Sequence, residues 1–307
     1  MKVLLLGGAG YVARRFAEVL FERGHVAHVL SRGFRDYTSR EVLLEVLGDV
    51  RPDVLVSAAG YTGFPNVDAC EPGGFGPGQC ILGNQYLTET VALCARREGV
   101  PWLQVGSGCI YRGCKVDGVV VKDMMEDWVQ DRVEGRRGVE GFTEEEEPNF
   151  TFDHPPCSFY SGCKALGERM ALAIGGGYVA RLRIPFDWED HPKNYLTKLV
   201  EYPKLYQNWN SLSDLTDFVV ACVELLERKA PYGAYNVVNT GYVSTQEVVN
   251  MLGLKHVQWF RDDTEFYEAV KAPRSNCILS NSKLQSVGIQ MPTVESSIYR
   301  ALRGKRG

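Results

Sequence analysis

Several features that define other classes of protein are missing from this sequence of 307 residues. No apolar run reaches the length of a membrane span, and the apolar start MKVLLLGGAG leads directly into a glycine turn, so we expect neither an anchor nor a signal peptide. The net charge of −4 is small and spread along the chain, which argues against nucleic acid or an anionic membrane surface as a partner. Internal repeats and low-complexity tracts are also missing.

Paired cysteine spacings are absent too. The nine cysteines are an odd number, no two of them form a C-x-x-C pair, and the five histidines do not cluster with them. This pattern argues against a disulfide framework and against a zinc site, so no metal is expected. Reduced thiols are typical of cytoplasmic proteins, and we predict that location.

What the sequence does contain is an alternation of short apolar runs with amphipathic stretches, in an ordinary composition of 45% hydrophobic and 23% charged residues. Continuous apolar strands separated by helices are typical of a parallel sheet covered on both faces. We predict an α/β protein built on a doubly wound parallel Rossmann sheet. Strands are predicted at residues 2–6, 26–30, 54–58, 102–106, 178–183 and 234–238, and helices at 11–23, 39–47, 79–97, 158–174 and 214–229.

Residues 112–156 do not follow this alternation. They are charged and show no clear period, and we interpret them as a long loop or lid with at most one helical turn. The acidic run at residues 144–147 inside this segment is interpreted as a solvated surface.

A glycine-rich turn joins the first predicted strand to the first helix. Gly7 permits a tight turn and Gly10 lets backbone approach a pyrophosphate, while Tyr11 and Val12 begin the helix whose N–H groups face the anion. The third glycine of the usual pattern is replaced by Ala13, which is small enough for helix–strand packing. The pattern predicts a dinucleotide-binding turn, and the alternative is a glycine turn without a ligand.

The end of the second strand distinguishes the two nicotinamide cofactors. NAD-binding proteins place an acid there for the ribose 2′-hydroxyl, whereas this chain has Ser31, Arg32 and Arg35. Arginine binds a 2′-phosphate through a bidentate, permanently charged fork. We therefore predict NADP(H), with Arg32 the better candidate and Arg35 the second, the alternative being two surface arginines. The small residues predicted to pass beneath the nicotinamide ribose are Ala58, Ala59 and Gly60.

A tyrosine and a lysine lie four residues apart at the start of a later helix. This spacing places Tyr160 and Lys164 on one helix face. The phenol can donate a proton to a carbonyl oxygen while a hydride arrives at carbon, and the neighbouring cation assists it. Ser107, at the end of the fourth strand, is placed to hydrogen-bond the same carbonyl. We predict a catalytic pair, and the alternative is a pair on a helix surface.

Together these residues resemble the extended short-chain dehydrogenase/reductase superfamily. Over nearly its whole length the chain is similar to the bifunctional nucleotide-rhamnose synthase/epimerase-reductases, which act on UDP-4-keto-6-deoxy-glucose, and to the related dTDP-4-dehydrorhamnose reductases. The stretches that carry this closer resemblance are AGYTGFPNVD at 59–68, GCI at 108–110, EPNF at 147–150 and APRSN at 272–276. The long segment 112–156 and the glycine-rich stretch 71–80 are departures from the family's pattern.

Isomerisation of a 4-keto sugar needs a base on one face of the ring and an acid on the other. Cys109 lies two residues after Ser107, so both side chains point the same way if the strand's alternation continues. On spacing alone, a buried structural cysteine and an exposed helix lysine at Lys198 stay open as alternatives. The resemblance implies that Cys109 and Lys198, the latter in the stretch NYLTK at 194–198, form the proton-exchanging pair.

The resemblance also implies where a nucleotide sugar binds. Arg274 is the candidate for the diphosphate, with a surface arginine as the alternative, and Asn66 and Asn194 are candidates for hydroxyl contacts. The expected domains are an NADP(H)-binding Rossmann domain at 1–182 and 209–238 and a nucleotide-sugar-binding domain at 183–208 and 239–307. A homodimer is expected.

The predicted function is that of a bifunctional 3,5-epimerase/4-ketoreductase. It converts a UDP-linked, or alternatively dTDP-linked, 4-keto-6-deoxy-hexose to a 6-deoxy-L-hexose such as UDP-L-rhamnose. Two enzymatic alternatives are a 4-ketoreductase alone and an enzyme for an N-acetylated keto sugar. A third alternative is a non-catalytic regulatory subunit that senses NADP(H), although such proteins usually lose the tyrosine–lysine pair.

Overall fold

The computed structural model of the chain describes residues 1–304. The chain divides into two compact units. The first comprises Met1–Ser107, Ser158–Arg181 and Val219–Tyr235, and the second comprises Gly108–Cys157, Leu182–Phe218 and the chain from Asn236 onward. The predicted boundaries differ mainly in placing residues 108–157 in the first domain. The binding roles given to the two domains stay predictions.

The first unit is built around one six-stranded sheet. Its elements are β1 (Lys2–Leu6), α1 (Tyr11–Glu22), β2 (Val26–Leu30), α2 (Arg40–Val50), β3 (Val54–Ser57), a 3-10 helix (Val67–Cys70), α3 (Gly76–Cys80), a π-helical segment (Ile81–Tyr86), α4 (Leu87–Arg97), β4 (Trp102–Ser107), α6 (Phe159–Ile174), β8 (Gly177–Leu182), most of α8 (Leu215–Glu227) and β12 (Gly233–Asn236). The predicted strands and helices of this unit lie within a few residues of these bounds.

The strand order is β12-β8-β4-β3-β1-β2, and β1 pairs in parallel with both β2 and β3. The direction of the crossovers therefore reverses between β1 and β3, and such a switch point is where α/β sheets bind ligands, beyond the carboxyl ends of the strands. The predicted Rossmann fold class is confirmed.

The core of this unit explains why the strands are apolar throughout. Both faces of the sheet are covered, so the successive residues Leu4, Leu5 and Leu6 of β1, which alternate between the two faces, are each at most 1% exposed. Helix α4 presents Val91 and Ala95, one turn apart, to the same core. The predicted single helix at 79–97 differs in detail, because the structure begins it at Gly76 and inserts the π-helical segment.

The second unit holds the remaining elements. They are a 3-10 helix (Gly108–Ile110), β5 (Cys114–Val116), β6 (Val119–Val121), α5 (Asp127–Glu134), β7 (Val139–Glu140), β9 (Pro185–Phe186), α7 (Tyr195–Glu201), β10 (Trp209–Asn210), β11 (Ser213–Asp214), β13 (Val243–Ser244), α9 (Thr245–Leu252), α10 (Asp263–Ala269), α11 (Ser282–Ser286) and α12 (Val294–Gly304). Two apolar cores stabilise it, one around α7, α9 and α12 and the other around β5 and α5. Within residues 1–304, no helix combines the length and apolar character needed to cross a bilayer.

The prediction of an irregular loop over residues 112–156 is wrong. β5 pairs antiparallel with β6 and β7 to form a small sheet, and α5 follows. The hairpin turn is Asp117-Gly118, and both residues have positive φ, 48° and 81°, as a tight turn of matching twist requires. In α5, Val129 and Val133 are buried one turn apart. The strands are too short for periodicity to reveal.

The acidic run at residues 144–147 is only partly solvated, which corrects the second expectation for this segment. Glu145 and Glu147 are exposed, but the carboxylate of Glu146 lies 2.8 Å from the ammonium of Lys115. Glu144 accepts a hydrogen bond from the backbone N–H of Asn236 at 2.6 Å. Alternate members of the run therefore hold the second unit together.

Candidate active site

The glycine turn after β1 is shaped by close backbone contacts. The N–H groups of Gly7 and Gly8 both donate to the carbonyl of Leu30 at 3.1 Å. Gly7 has φ +93°, and a Cβ at this position would lie 2.9 Å from the backbone N of Ala59. A side chain at Gly7 is excluded for two reasons: its backbone would be strained at this positive φ, and its Cβ would collide with the backbone of Ala59. The turn and the run after β3 are therefore held against each other at the switch point.

The amino end of α1 opens from this turn. Gly10 is its N-cap and provides no side-chain acceptor, and no acidic residue lies in the first turn. Tyr11 is buried and Val12 is half-buried, so the helix is anchored to the sheet. Uncapped N–H groups and the positive end of the helix dipole favour an anion at this position. The cradle fits a dinucleotide pyrophosphate.

The structure separates the two candidate arginines after β2. The guanidinium of Arg35 donates to Glu45 at 2.7 Å and to Asp49 at 3.2 Å, so its charge is already paired. Arg32 is exposed and acts electrostatically on Tyr37, a buried phenol that is hydrogen-bonded to the backbone of Gly7. Burial raises the pKa of Tyr37, and the nearby Arg32 opposes that rise. Arg32 thus acts on a residue that is itself bonded to the glycine turn. Ser31 is half-buried beside it.

The Tyr160–Lys164 pair occupies the first turns of α6. Ser158 caps this helix by accepting from the N–H of Ser161 at 3.1 Å, which fixes where the helix begins. The ammonium of Lys164 lies 5.9 Å from the centroid of the Tyr160 ring and donates to the carbonyl of Val105 at 3.5 Å. Tyr160 is half-buried and Lys164 is 9% exposed. The two groups therefore sit together in a sheltered environment.

Gly60 links this pair to the run after β3. A Cβ on Gly60 would lie 3.3 Å from the ammonium nitrogen of Lys164 and 3.1 Å from the side-chain oxygen of Asn84. A larger residue would push against both polar groups, so the small run predicted from the sequence leaves room at this point. Ala58, Ala59 and Gly60 directly follow β3, and Ser107 is the half-buried last residue of β4, the neighbouring strand.

Two polar residues near the pair were not predicted. Asn84, fully buried in the π-helical segment, accepts from the N–H of Tyr61 at 3.1 Å and donates to its carbonyl at 2.7 Å. Glu71 accepts from the N–H of Phe159, the first residue of α6, at 2.8 Å. Neither residue belongs to a local motif. The only sequence signal is the position of an asparagine, Asn84, inside the predicted helix at 79–97. Glu71 thus holds its segment to the catalytic helix, and Asn84 holds the π-helical segment to the chain that follows β3.

Cys109 does not continue the alternation of β4, so that expectation is wrong. The strand ends at Ser107, and Gly108–Ile110 forms a 3-10 helix, which removes the period-two argument for the direction of the thiol. Cys109 is 8% exposed. The carbonyl of Gly108 accepts from the thiol of Cys277 at 3.4 Å, a contact within the second unit that restrains this turn.

Lys198 is half-buried in α7 and is not the exposed lysine that the sequence suggested. Burial lowers its pKa, and the charges of Lys193 and Arg274 lower it further. Three cationic side chains therefore lie near one another in the second unit, a surrounding that favours an anion. The guanidinium of Arg274 also donates to the carbonyl of Ala272 at 3.0 Å, which restrains its side chain.

The two predicted asparagines differ. The side-chain oxygen of Asn194 accepts from the N–H groups of Leu196 and Asp187, and its amide donates to the carbonyls of Asp187 and Glu189. This fully buried side chain has no capacity left for a sugar hydroxyl, so the structure argues against the predicted contact. Asn66 is half-buried and caps the 3-10 helix that follows it by accepting from Asp68 at 2.8 Å. Its contact with a substrate stays a prediction.

Comparison with known protein families shows which family this chain belongs to. A family model described as the RmlD substrate binding domain matches residues 1–306. The chain belongs to this family. The family predicted from the sequence is therefore confirmed, and so is the prediction that the chain is an enzyme.

Curated relatives of this RmlD-family chain include two proteins of Arabidopsis thaliana. One is the trifunctional UDP-glucose 4,6-dehydratase/UDP-4-keto-6-deoxy-D-glucose 3,5-epimerase/UDP-4-keto-L-rhamnose-reductase RHM1, 27% identical over 99% of this chain and 42% of that protein. The chain thus spans about two fifths of that trifunctional relative. The other is a bifunctional dTDP-4-dehydrorhamnose 3,5-epimerase/dTDP-4-dehydrorhamnose reductase, 26% identical over 97% of this chain and 91% of that protein.

Solved structures with the same fold cover nearly all of the RmlD-family chain. The L780 UDP-rhamnose synthase from Acanthamoeba polyphaga mimivirus has a TM-score of 0.83 and 22% identity, with 99% of both chains covered. A dTDP-4-dehydrorhamnose reductase from Bacillus anthracis str. Ames, solved in complex with NADP, has a TM-score of 0.77 and 18% identity, also with 99% of both chains covered. At these identities the likeness concerns the fold.

Proposed function

We propose that this chain is an NADP(H)-dependent 4-ketoreductase of nucleotide-linked 4-keto-6-deoxy sugars, and that it also epimerises the sugar at the carbons beside the ketone. The observation that carries the reductase half is the seating of Tyr160 and Lys164 in the capped first turns of α6, with the ammonium against Gly60. The epimerase half is supported by the bifunctional plant relative, which aligns with nearly the whole chain.

NADP(H) is the cofactor that the first unit fits. The backbone of Gly7 and Gly10 and the amino end of α1 at Tyr11 and Val12 would hold the pyrophosphate, and Arg32, with Ser31 beside it, would hold the 2′-phosphate. Arg35 is the weaker candidate for the 2′-phosphate because its guanidinium already donates hydrogen bonds to Glu45 and Asp49. The bound nicotinamide supplies the hydride.

The proton chemistry of the reduction belongs to three side chains. The Tyr160 hydroxyl donates its proton to the ketone oxygen at C4, acting as general acid. The Lys164 ammonium, 5.9 Å from the ring centroid, stabilises the negative charge left on the phenol oxygen. The Ser107 hydroxyl donates a hydrogen bond to the same ketone oxygen and orients it. No further proton donor is needed for this step.

Epimerisation uses the acidity of the protons beside the ketone. In this proposal, Cys109 removes a proton from one face of the ring and Lys198 returns one to the other face. The lowered pKa of Lys198 suits an amine that must give up and regain a proton near neutral pH. Arg274 and Lys193, the cations beside Lys198, would bind the nucleotide diphosphate, linked to uridine or to thymidine.

Deuterium exchange tests the epimerase half separately. The protein is incubated with UDP-4-keto-6-deoxy-glucose in D2O without NADPH, and incorporation at C3 and C5 is followed by NMR. We expect incorporation in the wild type and in the control Lys255→Met, at an exposed position of the second unit, and a loss of about 100-fold or more in Cys109→Ser and Lys198→Met, since general acid–base groups contribute at least that much. If the wild type incorporates no deuterium while it still reduces the L-configured keto sugar, the chain is a reductase alone.

A further inference from the structure

Two buried arginines lie at the carboxyl end of β8, Arg181 within the strand and Arg183 directly after it. Arg181 is paired, since its Nε and Nη2 donate to the carboxylate of Glu168 at 3.0 and 2.6 Å. Arg183 is 5% exposed, and in the part of the chain that the structure describes no carboxylate pairs with it. Its Nη2 donates to two neutral acceptors, the side-chain oxygen of Asn210 and the carbonyl of Ser275, and its Nε has no acceptor among the described residues. Arg183 is therefore a buried cation whose charge the described chain does not neutralise.

The fold itself gives little reason for a cation at Arg183. Arginine keeps its charge even when it is buried, and a buried charge without an opposite charge is costly. The two neutral acceptors reduce that cost through hydrogen bonds but supply no charge. Asn210 does not depend on the arginine either, because its side-chain oxygen also accepts from the N–H of Cys277 at 3.1 Å. A cation that is kept at such a cost points to an anionic ligand.

The surroundings of Arg183 indicate which anion this is. Its stem passes the turn before Cys109, since a Cβ on Gly108 would lie 3.4 Å from the Cδ of the arginine. Its guanidinium bonds the carbonyl of Ser275, the residue directly after Arg274. All of these residues belong to the second unit. The side chain thus reaches from the turn that carries the proposed epimerase thiol to the segment that carries the proposed diphosphate-binding arginine.

We propose that Arg183 is a further substrate-binding residue: its buried guanidinium, left without a carboxylate, binds the diphosphate of the nucleotide-linked keto sugar together with Arg274 and Lys193. In that class of substrate the diphosphate is the group with a permanent negative charge. A guanidinium has five N–H donors, and the bonds to Asn210 and Ser275 use two of them, so donors remain for phosphate oxygens. Shelter from water strengthens the attraction between the charges. This inference rests on the substrate class proposed above.

The test measures nucleotide binding without turnover, by isothermal titration calorimetry. The ligands are UDP or dTDP, whichever the wild type binds more tightly, and the matching nucleoside, which has no phosphate. Arg183→Met should weaken binding of the diphosphate by about 10- to 100-fold, the loss expected for a charged hydrogen bond, and leave the nucleoside within about two-fold. The control Arg261→Met, at an exposed arginine of the same unit, should bind both ligands as the wild type does.

Steady-state kinetics with the keto sugar give a second readout. In Arg183→Met the KM for the keto sugar should rise by the same factor as the loss of diphosphate affinity. The change in kcat should be smaller than the change in KM, because the diphosphate takes no part in the bonds that form and break. A role in folding alone would not produce this selective rise in KM.

An unchanged diphosphate affinity in Arg183→Met would overturn the proposal, and so would an equal loss for the nucleoside or a wild type that binds neither UDP nor dTDP. If Arg183→Met does not fold, Arg183→Gln removes the charge and keeps an N–H donor for the Ser275 carbonyl. It should show the same selective loss, and an unchanged affinity again overturns the proposal. Binding is measured without turnover, so the reductase proposal is judged separately, and it fails if Tyr160→Phe remains fully active.

Discussion

Replacing Arg32 by Ala should weaken NADPH selectively, and Arg35→Ala is the matched control. Arg32 is exposed near the glycine turn, whereas the guanidinium of Arg35 lies 2.7 Å from Glu45 and 3.2 Å from Asp49. Charge-assisted hydrogen bonds to a phosphate contribute about 1.5–3 kcal/mol, and exposure places Arg32 at the lower end of that range. A loss of about 1.5–2 kcal/mol corresponds to about a 10- to 30-fold weaker affinity.

The assay is a pair of steady-state titrations of NADPH and NADH with a saturating keto sugar. Arg32→Ala should raise the KM for NADPH by that factor and leave the KM for NADH within about two-fold, because NADH has no 2′-phosphate. Arg35→Ala should change neither constant appreciably. The reasoning is refuted if Arg35→Ala loses NADPH selectivity while Arg32→Ala keeps it, or if Arg32→Ala weakens both cofactors equally.

Two further predictions concern stability. Trp102 is 1% exposed and donates to the carbonyl of Gly175 at 3.1 Å, so Trp102→Ala should lower the free energy of unfolding in urea by about 3–5 kcal/mol. The control Trp128→Ala, at a 54% exposed position, should change that free energy by about 0.5 kcal/mol or less. Equal losses in the two variants would contradict the prediction. Burial, with the charge of Asp217 second, raises the pKa of Asp214 to about 6. The folded state therefore binds this proton more tightly than the unfolded chain does, so Asp214 makes Tm fall as pH rises from about 4 to 6. Asp214→Asn should flatten this dependence of Tm on pH. A Tm profile of the variant that runs parallel to that of the wild type would contradict the prediction.

The sheet was predictable because each strand carries its own signal. β1 and β3 are buried on both faces, and a continuous apolar run such as Val3–Leu6 indicates a strand of this kind directly. The hairpin of β5 and β6 was missed although Asp117-Gly118 is a strong turn signal, since three-residue strands are too short to show a period. In a charged segment of this kind, turn chemistry is a better guide to a hairpin than periodicity.

The residues of the candidate site fall into two groups, those that a local motif indicates and those that only the fold brings together. The glycine turn and the Tyr160–Lys164 spacing are local motifs, so the sequence alone indicates them. Asn84 and Glu71 make contacts between segments distant in the chain, which no local pattern encodes. The period-two argument for Cys109 fails because a 3-10 helix replaces the strand after Ser107. Burial of Lys198 likewise depends on packing that only the fold provides.

The most direct test of the central claim compares Tyr160→Phe with the wild type in single-turnover reduction of the L-configured 4-keto sugar. Phenylalanine keeps the ring and removes the proton donor, so the rate should fall by about 100- to 10,000-fold. NADPH binding, followed by fluorescence, should stay within about two-fold, and the control Tyr86→Phe, at a 52% exposed position, should react normally. A Tyr160→Phe rate within about two-fold of the wild type would contradict the account.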